Sequence, residues 1–366
     1  MISRIEINNF MAFSHFQTET IAPINLIIGK NDTGKSALLK LLYSACKSVD
    51  VYSRRSQFKE APFRRVLSDK LIDTFEPGRG GLGELVSKHS RSASQVGIGF
   101  EHRALDYRAN LAFTLSEVTR SEIGELSFND RPISERFRCL FIPPKEVLSS
   151  FKAIRATRDN LEIPGFDDTY LDLIRALVVP TNADRFMERP VERDMRAYNS
   201  LLFVNSHLEE MFAGRIEQRN DDDFVFRKGN SEFPISMTAE GIKKIGILTT
   251  LINNGQLNEN TVLFLDEPET TLHPGATREL VKMLVVMAQA GVQIFIVSHN
   301  YFVLKQLHIA ARKNRMDIGC YSLSRPRSNG AVQSNYMNLR EGLLENAIID
   351  ESLKMYDEDI RVELGL

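Results

Sequence analysis

The sequence predicts an α/β fold built around a mainly parallel sheet, and three observations carry that expectation. Between residues 24 and 42 an apolar run, a glycine-bounded turn and a helical stretch follow one another. Two further short apolar runs, at 262–265 and 292–297, alternate with helical spacing at 239–253 and at about 276–290. Continuous rather than alternating apolar strands belong to sheets covered on both faces. The chain has 366 residues, 43% of them hydrophobic, enough for a core shared by two adjoining lobes.

Taken in order, Met1-Ile2-Ser3-Arg4-Ile5-Glu6-Ile7 alternates like a strand and does not read as a targeting segment. Strands are expected at 2–8 and 24–28, joined by a loop that holds Phe10, Phe13, His15 and Phe16, with a helix over 35–47 after them. Residues 50–92 show no clear period; they carry Arg54, Arg55, Lys59, Arg64 and Arg65 and a glycine-rich stretch at 78–83. Segments 95–102, 107–117, 125–129 and 138–142 read as strands of an antiparallel meander. Helical spacing returns over 145–213, with helices at 170–178, before Pro180, and at 198–212. Segments 214–219 and 223–228 flank the acidic turn Asp221-Asp222-Asp223 and suit a hairpin. Beyond 297, strands are expected at 318–324 and 331–337 and helices around 341–358. The last 26 residues hold eight carboxylates against Lys354 and Arg361, a solvated acidic helical face. No heptad run appears, and the longest apolar stretch falls short of a membrane span.

A net charge of −2 advertises no general affinity for nucleic acid. The three cysteines, Cys46, Cys139 and Cys320, lie far apart in or beside apolar segments and form no CxxC pair. They read as reduced, buried residues of a soluble cytoplasmic protein.

The turn is Gly29-Lys30-Asn31-Asp32-Thr33-Gly34-Lys35-Ser36, a complete GxxxxGKS sequence followed by Ala37. Its backbone N–H groups and the helix N-terminus converge where a phosphate would sit. Lys35 reaches toward the β- and γ-phosphates, and the Ser36 hydroxyl suits Mg²⁺. A nucleoside triphosphate and Mg²⁺ are therefore the expected ligands. Ligands of open parallel sheets sit beyond the carboxyl ends of the strands. There the run 262–265 meets Asp266-Glu267-Pro268, and the run 292–297 meets Ser298-His299-Asn300. Asp266 suits the metal, Glu267 the orientation of an attacking water, and His299 the charge developing on the γ-phosphate.

The phosphate loop, the run 263–268, the following Glu269-Thr270-Thr271-Leu272-His273-Pro274 and Val297-Ser298-His299 resemble the head domains of ABC-type ATPases. The likeness is to the soluble branch with the chromosome-maintenance (SMC), RecF and overcoming-lysogenization-defect (OLD) ATPases. Segments 141–149 and 238–244 are similar to stand-alone bacterial "AAA family" ATPases of anti-phage systems. The resemblance implies one ABC-ATPase head over 1–366, without a long coiled coil. Its parts would be N-terminal strands and Walker A at 1–47, and a variable insert with an antiparallel arm at 48–144. A helical lid at 145–213 follows, then the signature helix, Walker B, D-loop and H-loop at 214–340, and acidic helices at 341–366. It implies a mixed, mainly parallel core sheet, and two ATP molecules sandwiched between two heads of a homodimer or higher homo-oligomer. A signature segment from the opposite subunit, here Ser236, Thr238, Ala239, Gly241 and Lys243, would complete each site. Thr238 suits the cap of helix 239–253, Gly241 a bare first turn, and Lys243 and Lys244 added positive charge. Glu269 and Thr270 take the D-loop place, and Lys145-Glu146 the place of the Q-loop, whose glutamine is missing. Ala239 stands where signatures usually carry serine, leaving Ser236, Thr238 or backbone amides to serve instead.

The function implied is an ATPase acting as a nucleotide-gated dimerisation switch. OLD nucleases carry a metal-binding toprim domain after the head; 67 residues follow His299, too few for one, so a separate effector, a nuclease or toxin, is expected. The alternative is a RecF-like DNA-binding ATPase of DNA repair, contacting DNA through Arg54, Arg55, Lys59, Arg64 and Arg65.

Overall fold

A computed structural model describes the chain except residues 19, 54–59, 90–91, 103–106, 129–136, 158–164, 179–191, 221–222, 326–329, 344–345 and 365–366. Its strands are β1 Ile2–Phe10, β2 Phe13–Thr18, β3 Ile24–Gly29, β4 Ser94–His102, β5 Tyr107–Leu115, β6 Leu126–Phe128 and β7 Arg138–Ile142, followed by β8 Arg215–Asn220, β9 Asp223–Lys228, β10 Ser231–Pro234, β11 Thr261–Asp266, β12 Gln293–Val297, β13 Ile318–Ser324 and β14 Gln333–Asn338. Its helices are α1 Lys35–Ser53, α2 Glu60–Phe75, α3 Phe151–Arg155, α4 Asp168–Leu177, α5 Glu192–Phe212, α6 Glu240–Asn253, α7 Pro274–Gln289, α8 Tyr301–Asn314 and α9 Ala347–Leu364.

The core is a six-stranded sheet in the order β14-β13-β3-β12-β11-β7, parallel except where β14 meets β13. Every residue of β3, β11 and β12 is buried, as continuous apolar runs demand. The pleat divides two cores. Leu26, Leu263, Leu265, Ile294 and Ile296 face the cluster beneath α4, α6, α7 and α8. Ile27, Phe264, Phe295 and Phe141 face α1 and a second, antiparallel sheet. Phe141, Phe264 and Phe295 stack across three neighbouring strands at 6.4 and 5.3 Å between ring centroids, with Tyr43 of α1 edge-on above them.

The second sheet runs β2-β1-β4-β5-β6 and is antiparallel throughout. It corrects two expectations. The supposed loop after β1 is the strand β2, turned back through Met11 and Ala12 so that Phe13 and Phe16 are buried. Segment 138–142 leaves the meander and pairs in parallel with β11, Leu140 opposite Leu263. Its run Cys139-Leu140-Phe141-Ile142 is buried at all four positions, the pattern of a strand covered on both faces.

The hairpin β8–β9 is joined by β10 into a three-stranded sheet, while its turn residues Asp221 and Asp222 lie outside the described residues. A single helix, α9, replaces the several expected near the end, and none of its residues is buried. Helices α2 and α8 had no counterpart in the sequence reading.

Candidate functional site

The chain segments that follow three parallel strands of the core sheet, β3, β11 and β13, meet at one cleft of about 620 Å³, a size suited to a small ligand. Asn31 to Ala37 of the glycine turn line it, with Glu267 and Arg325. The turn needs its glycines. Gly34 sits at φ +80°, and a Cβ there would meet the Phe13 ring at 3.0 Å. A Cβ on Gly29 would lie 2.5 Å from the Leu323 carbonyl of the adjacent strand. Thr33 Oγ1 donates to the Lys30 carbonyl at 2.8 Å, closing the loop. Lys35 Nζ folds back onto the carbonyls of Gly29 and Lys30, at 2.9 and 2.8 Å. Burial lowers its pKa, and Glu267 and Asp266 oppose that shift.

Asp266, the last residue of β11, is 5% exposed. Burial pushes its carboxyl up to about 6, with Glu267 adding to the rise and a hydrogen bond from Ser36 opposing it. Its Oδ1 is buried without a hydrogen-bond partner. Buried polar atoms are seldom left so, and this orphan lies on a carboxylate already joined to a phosphate-loop hydroxyl. A hard divalent cation takes this donor set, one carboxylate and one hydroxyl oxygen, and fills the rest of its shell with water and phosphate oxygens. The residues present therefore fit Mg²⁺.

Glu267 occupies the left-handed region at φ +48°, a conformation costly for a glutamate. Its N–H donates to the Val297 carbonyl at 2.9 Å, which fixes the turn. His299 Nδ1 lies 2.9 Å from Glu267 Oε1, joining the ends of β11 and β12 beside the phosphate loop. Both side chains stay partly open to solvent. An acceptor carboxylate held by an imidazole and facing a phosphate-sized cleft is able to orient water.

The remaining expected residues lie elsewhere. Glu269 is buried and accepts a 2.5 Å hydrogen bond from Ser298 Oγ; burial raises its pKa. Thr270 Oγ1 donates to the Glu267 carbonyl at 2.8 Å and accepts from Lys244. The side chains of Glu269 and Thr270 thus turn inward within the chain, leaving Thr271 and His273 exposed in that turn. In the signature segment, Ser236 and Ala239 are exposed. Thr238 does not cap α6: the cap residue is Ala239, and the Thr238 hydroxyl donates to Pro234 O at 3.1 Å. Gly241 is buried, with Thr271 and Leu272 where its side chain would stand, so the first turn is not bare. Lys243 reaches Ser149 Oγ at 2.6 Å, Glu240 at 3.1 Å and Glu146 at 3.4 Å, and Lys244 donates to the Glu267 carbonyl at 2.8 Å. Neither lysine presents its charge outward. Glu146 is held by Lys243 and the Ser149 N–H, while Lys145 is exposed. Of the basic cluster, Arg54, Arg55 and Lys59 lie outside the described residues. Arg64 donates to the carbonyls of Ile123 and Gly124, and Arg65 pairs with Asp69 at 3.7 Å.

Sequence reasoning missed several cleft residues. Met11 and Ala12 of the β1–β2 turn, Lys88 and His89 line it, and Lys40 lies close enough to Asp266 to act on its charge. Arg325 stands just beyond β13. The rule that picked out the ends of three apolar strands would have found it, had it been applied to the fourth.

A family model described as "AAA domain, putative AbiEii toxin, Type IV TA system" matches residues 24–305. The Old nuclease of Escherichia phage P2 is 36% identical over 58 residues, 16% of this chain and only 10% of that protein. The uncharacterized protein MJECL10 of Methanocaldococcus jannaschii is 27% identical over 165 residues, 44% of this chain and 70% of that protein. Among solved structures, an Smc head bound to the C-winged helix domain of ScpA aligns with TM-score 0.52 at 12% identity, covering 93% of this chain and 99% of that one. An Smc head with an extended coiled coil, bound to the C-terminal domain of ScpA from Pyrococcus furiosus, aligns with TM-score 0.50 at 11% identity, covering 98% of each chain. At such identities the likeness concerns the fold alone. Among the described residues, no helix is long and apolar enough to cross a membrane.

Proposed function

The chain belongs to the AAA-domain family whose model spans it, an ATPase with the fold of SMC heads, and from that premise we propose that it hydrolyses ATP as a nucleotide-gated dimerisation switch. In this reading ATP closes a homodimer, hydrolysis opens it, and the motion controls a separate effector, a nuclease or toxin, in anti-phage defence. The observation that carries the chemistry is that Lys35, Ser36 and Glu267 line one cleft, with the orphaned Asp266 carboxylate bonded to Ser36 and His299 bonded to Glu267 directly behind them. The family's description as a putative toxin of a toxin–antitoxin system and the likeness over 58 residues to a phage nuclease support the link to defence.

Lys35 exchanges its two loop carbonyls for phosphate oxygens when the nucleotide enters. Ser36 and Asp266 would hold Mg²⁺, which would supply positive charge against the phosphates. Glu267 accepts a proton from the attacking water as its oxygen bonds the γ-phosphorus and the bond to the ADP oxygen breaks. His299 keeps the Glu267 carboxylate aimed into the cleft. In the RecF-like alternative Arg65, whose side chain is 83% exposed, would contact DNA, whereas Arg64 donates to the carbonyls of Ile123 and Gly124.

Glu267→Gln tests the proposal. It keeps the shape of the site but loses the base, so ATP turnover should fall about 10²–10⁴-fold with binding retained. Native mass measurement should then find a dimer with ATP and a monomer with ADP. Hydrolysis at the wild-type rate would show that another group activates the water.

A further inference from the structure

The strand β13 lies beside β3 with Leu323 paired to Gly29, so its end delivers Arg325 to the mouth of the phosphate loop. There Arg325 Nη1 donates to Asp32 Oδ2 at 3.0 Å. Asp32 holds the left-handed conformation, φ +62°, inside the loop, and its side chain is 89% exposed against 34% for Arg325. Exposed ion pairs of this kind contribute little to stability. The pair therefore calls for a reason other than holding the fold. An aspartate in a loop built to receive a polyanion repels its own ligand, because like charges at this range oppose each other. A guanidinium beside it cancels that repulsion. It also matches two phosphate oxygens better than one exposed carboxylate, being a planar fork of donors.

We propose that Arg325 is a phosphate-contacting residue of the cleft, parked on Asp32 in the nucleotide-free protein and transferred to a phosphate of the nucleotide on binding. The inference rests on the reading of the cleft as an ATP site and adds to it a residue from outside the recognised motifs. Asp32 then competes with the ligand for Arg325, and the two residues have opposite effects on affinity. Were the pair only a brace for the loop, losing either member would weaken binding alike.

Titration of the full chain with a fluorescent ATP analogue separates these cases, using wild type, Lys35→Ala, Arg325→Ala, Asp32→Asn and the double variant Asp32→Asn/Arg325→Ala. Arg325→Ala should raise Kd about 10–100-fold, the range of a lost charge-assisted contact. Asp32→Asn should lower Kd by about 3–10-fold, since it removes competitor and repulsion together. The double variant should bind more weakly than wild type but more tightly than Arg325→Ala, because losing Asp32 still removes its repulsion of the phosphates. Arg325→Lys, which keeps the charge but not the fork, should recover part of the loss. An Asp32→Asn variant that binds as weakly as Arg325→Ala, with melting curves showing both folded, would make the pair a brace and overturn the inference. So would an unchanged Kd for Arg325→Ala. A wild-type chain that binds no nucleotide, or binds it equally well as Lys35→Ala, would instead sink the reading of the cleft itself.

Discussion

The two ends of the phosphate cleft's neighbourhood treat charge in opposite ways. Around the glycine turn, charges are left open: Asp266 Oδ1 has no partner, Glu267 and His299 face solvent, and Asp32 and Arg325 meet at the surface. In the segment running into α6, charges are closed. Lys243 is 3% exposed and has three partners, and Lys244 is 5% exposed and bound to the Glu267 carbonyl and Thr270. A folded chain satisfies its buried polar groups, so an exception marks where something else completes the set. Asp266 Oδ1 shares that state with five other atoms among the described residues, Glu269 Oε2 included, and is set apart by its hydrogen bond to Ser36 of the glycine turn, where a ligand would complete it. The second region is a brace, which couples Glu146, Ser149 and the turn after Glu267 to one helix. Any contact it makes with a second subunit falls to its backbone and to exposed groups such as Ser236.

The sharpest way to break this comparison is Lys35→Ala. Its ammonium now holds only loop carbonyls, which are equally able to bond water, so folding should be little affected. Nucleotide affinity should fall about 1,000-fold, roughly 4 kcal/mol for two charge-assisted hydrogen bonds to phosphate. Calorimetric titration with ATP and Mg²⁺ measures it. A variant that unfolds but still binds would reverse the roles assigned to the two regions.

The open region was legible in the sequence because its information is local. Eight consecutive residues define the turn, and short apolar runs place Asp266 and His299 at strand ends. The closed region was not, because its partners are remote. Lys243 meets Glu146 across 97 residues, and no local pattern announces that pair. Thr238 shows the same failure on a smaller scale: a good capping residue at a good capping position found the Pro234 carbonyl instead. Among the elements, 138–142 was grouped with its neighbours in sequence although its unbroken apolar run belonged with the core strands. Helix α2 was passed over because Pro62 and its charges disguise it. Yet Pro62 lies in the first turn, where it is tolerated, and Phe63, Leu67 and Leu71 are buried at a spacing of four.

The brace is tested by Lys243→Met, which keeps the aliphatic stem and removes the charge. Glu146, whose side chain is 7% exposed, then loses its buried cation. Breaking one side of a buried pair costs about 3 kcal/mol, to be read from the denaturant midpoint at unchanged slope. ATP affinity should move far less than in Lys35→Ala. Normal stability with strongly weakened nucleotide binding would place Lys243 in the site rather than behind it.

The smallest effect has the opposite sign. Asp266→Asn removes a buried charge that has no full complement in the nucleotide-free protein, so it should stabilise that protein while impairing Mg²⁺-dependent ATP binding. The carboxyl titrates near 6 when folded and near 3.8 when unfolded. The folded state therefore holds its proton more tightly, and wild-type stability declines as pH rises from about 4 to about 6. Above that window the asparagine variant should be more stable by about 1–2 kcal/mol, a rise of a few degrees in Tm for a chain of this size. Below about pH 4 the advantage should vanish, because the wild-type carboxyl is protonated in both states. Saturating ATP and Mg²⁺ should reverse the order at pH 7, since only the aspartate gains the cation. Melting curves at pH 4 and 7, with and without ligand, decide it. A variant less stable than wild type at pH 7 without ligand would mean that the carboxylate is a structural group after all, and that the open end of the sheet is not kept open for a ligand.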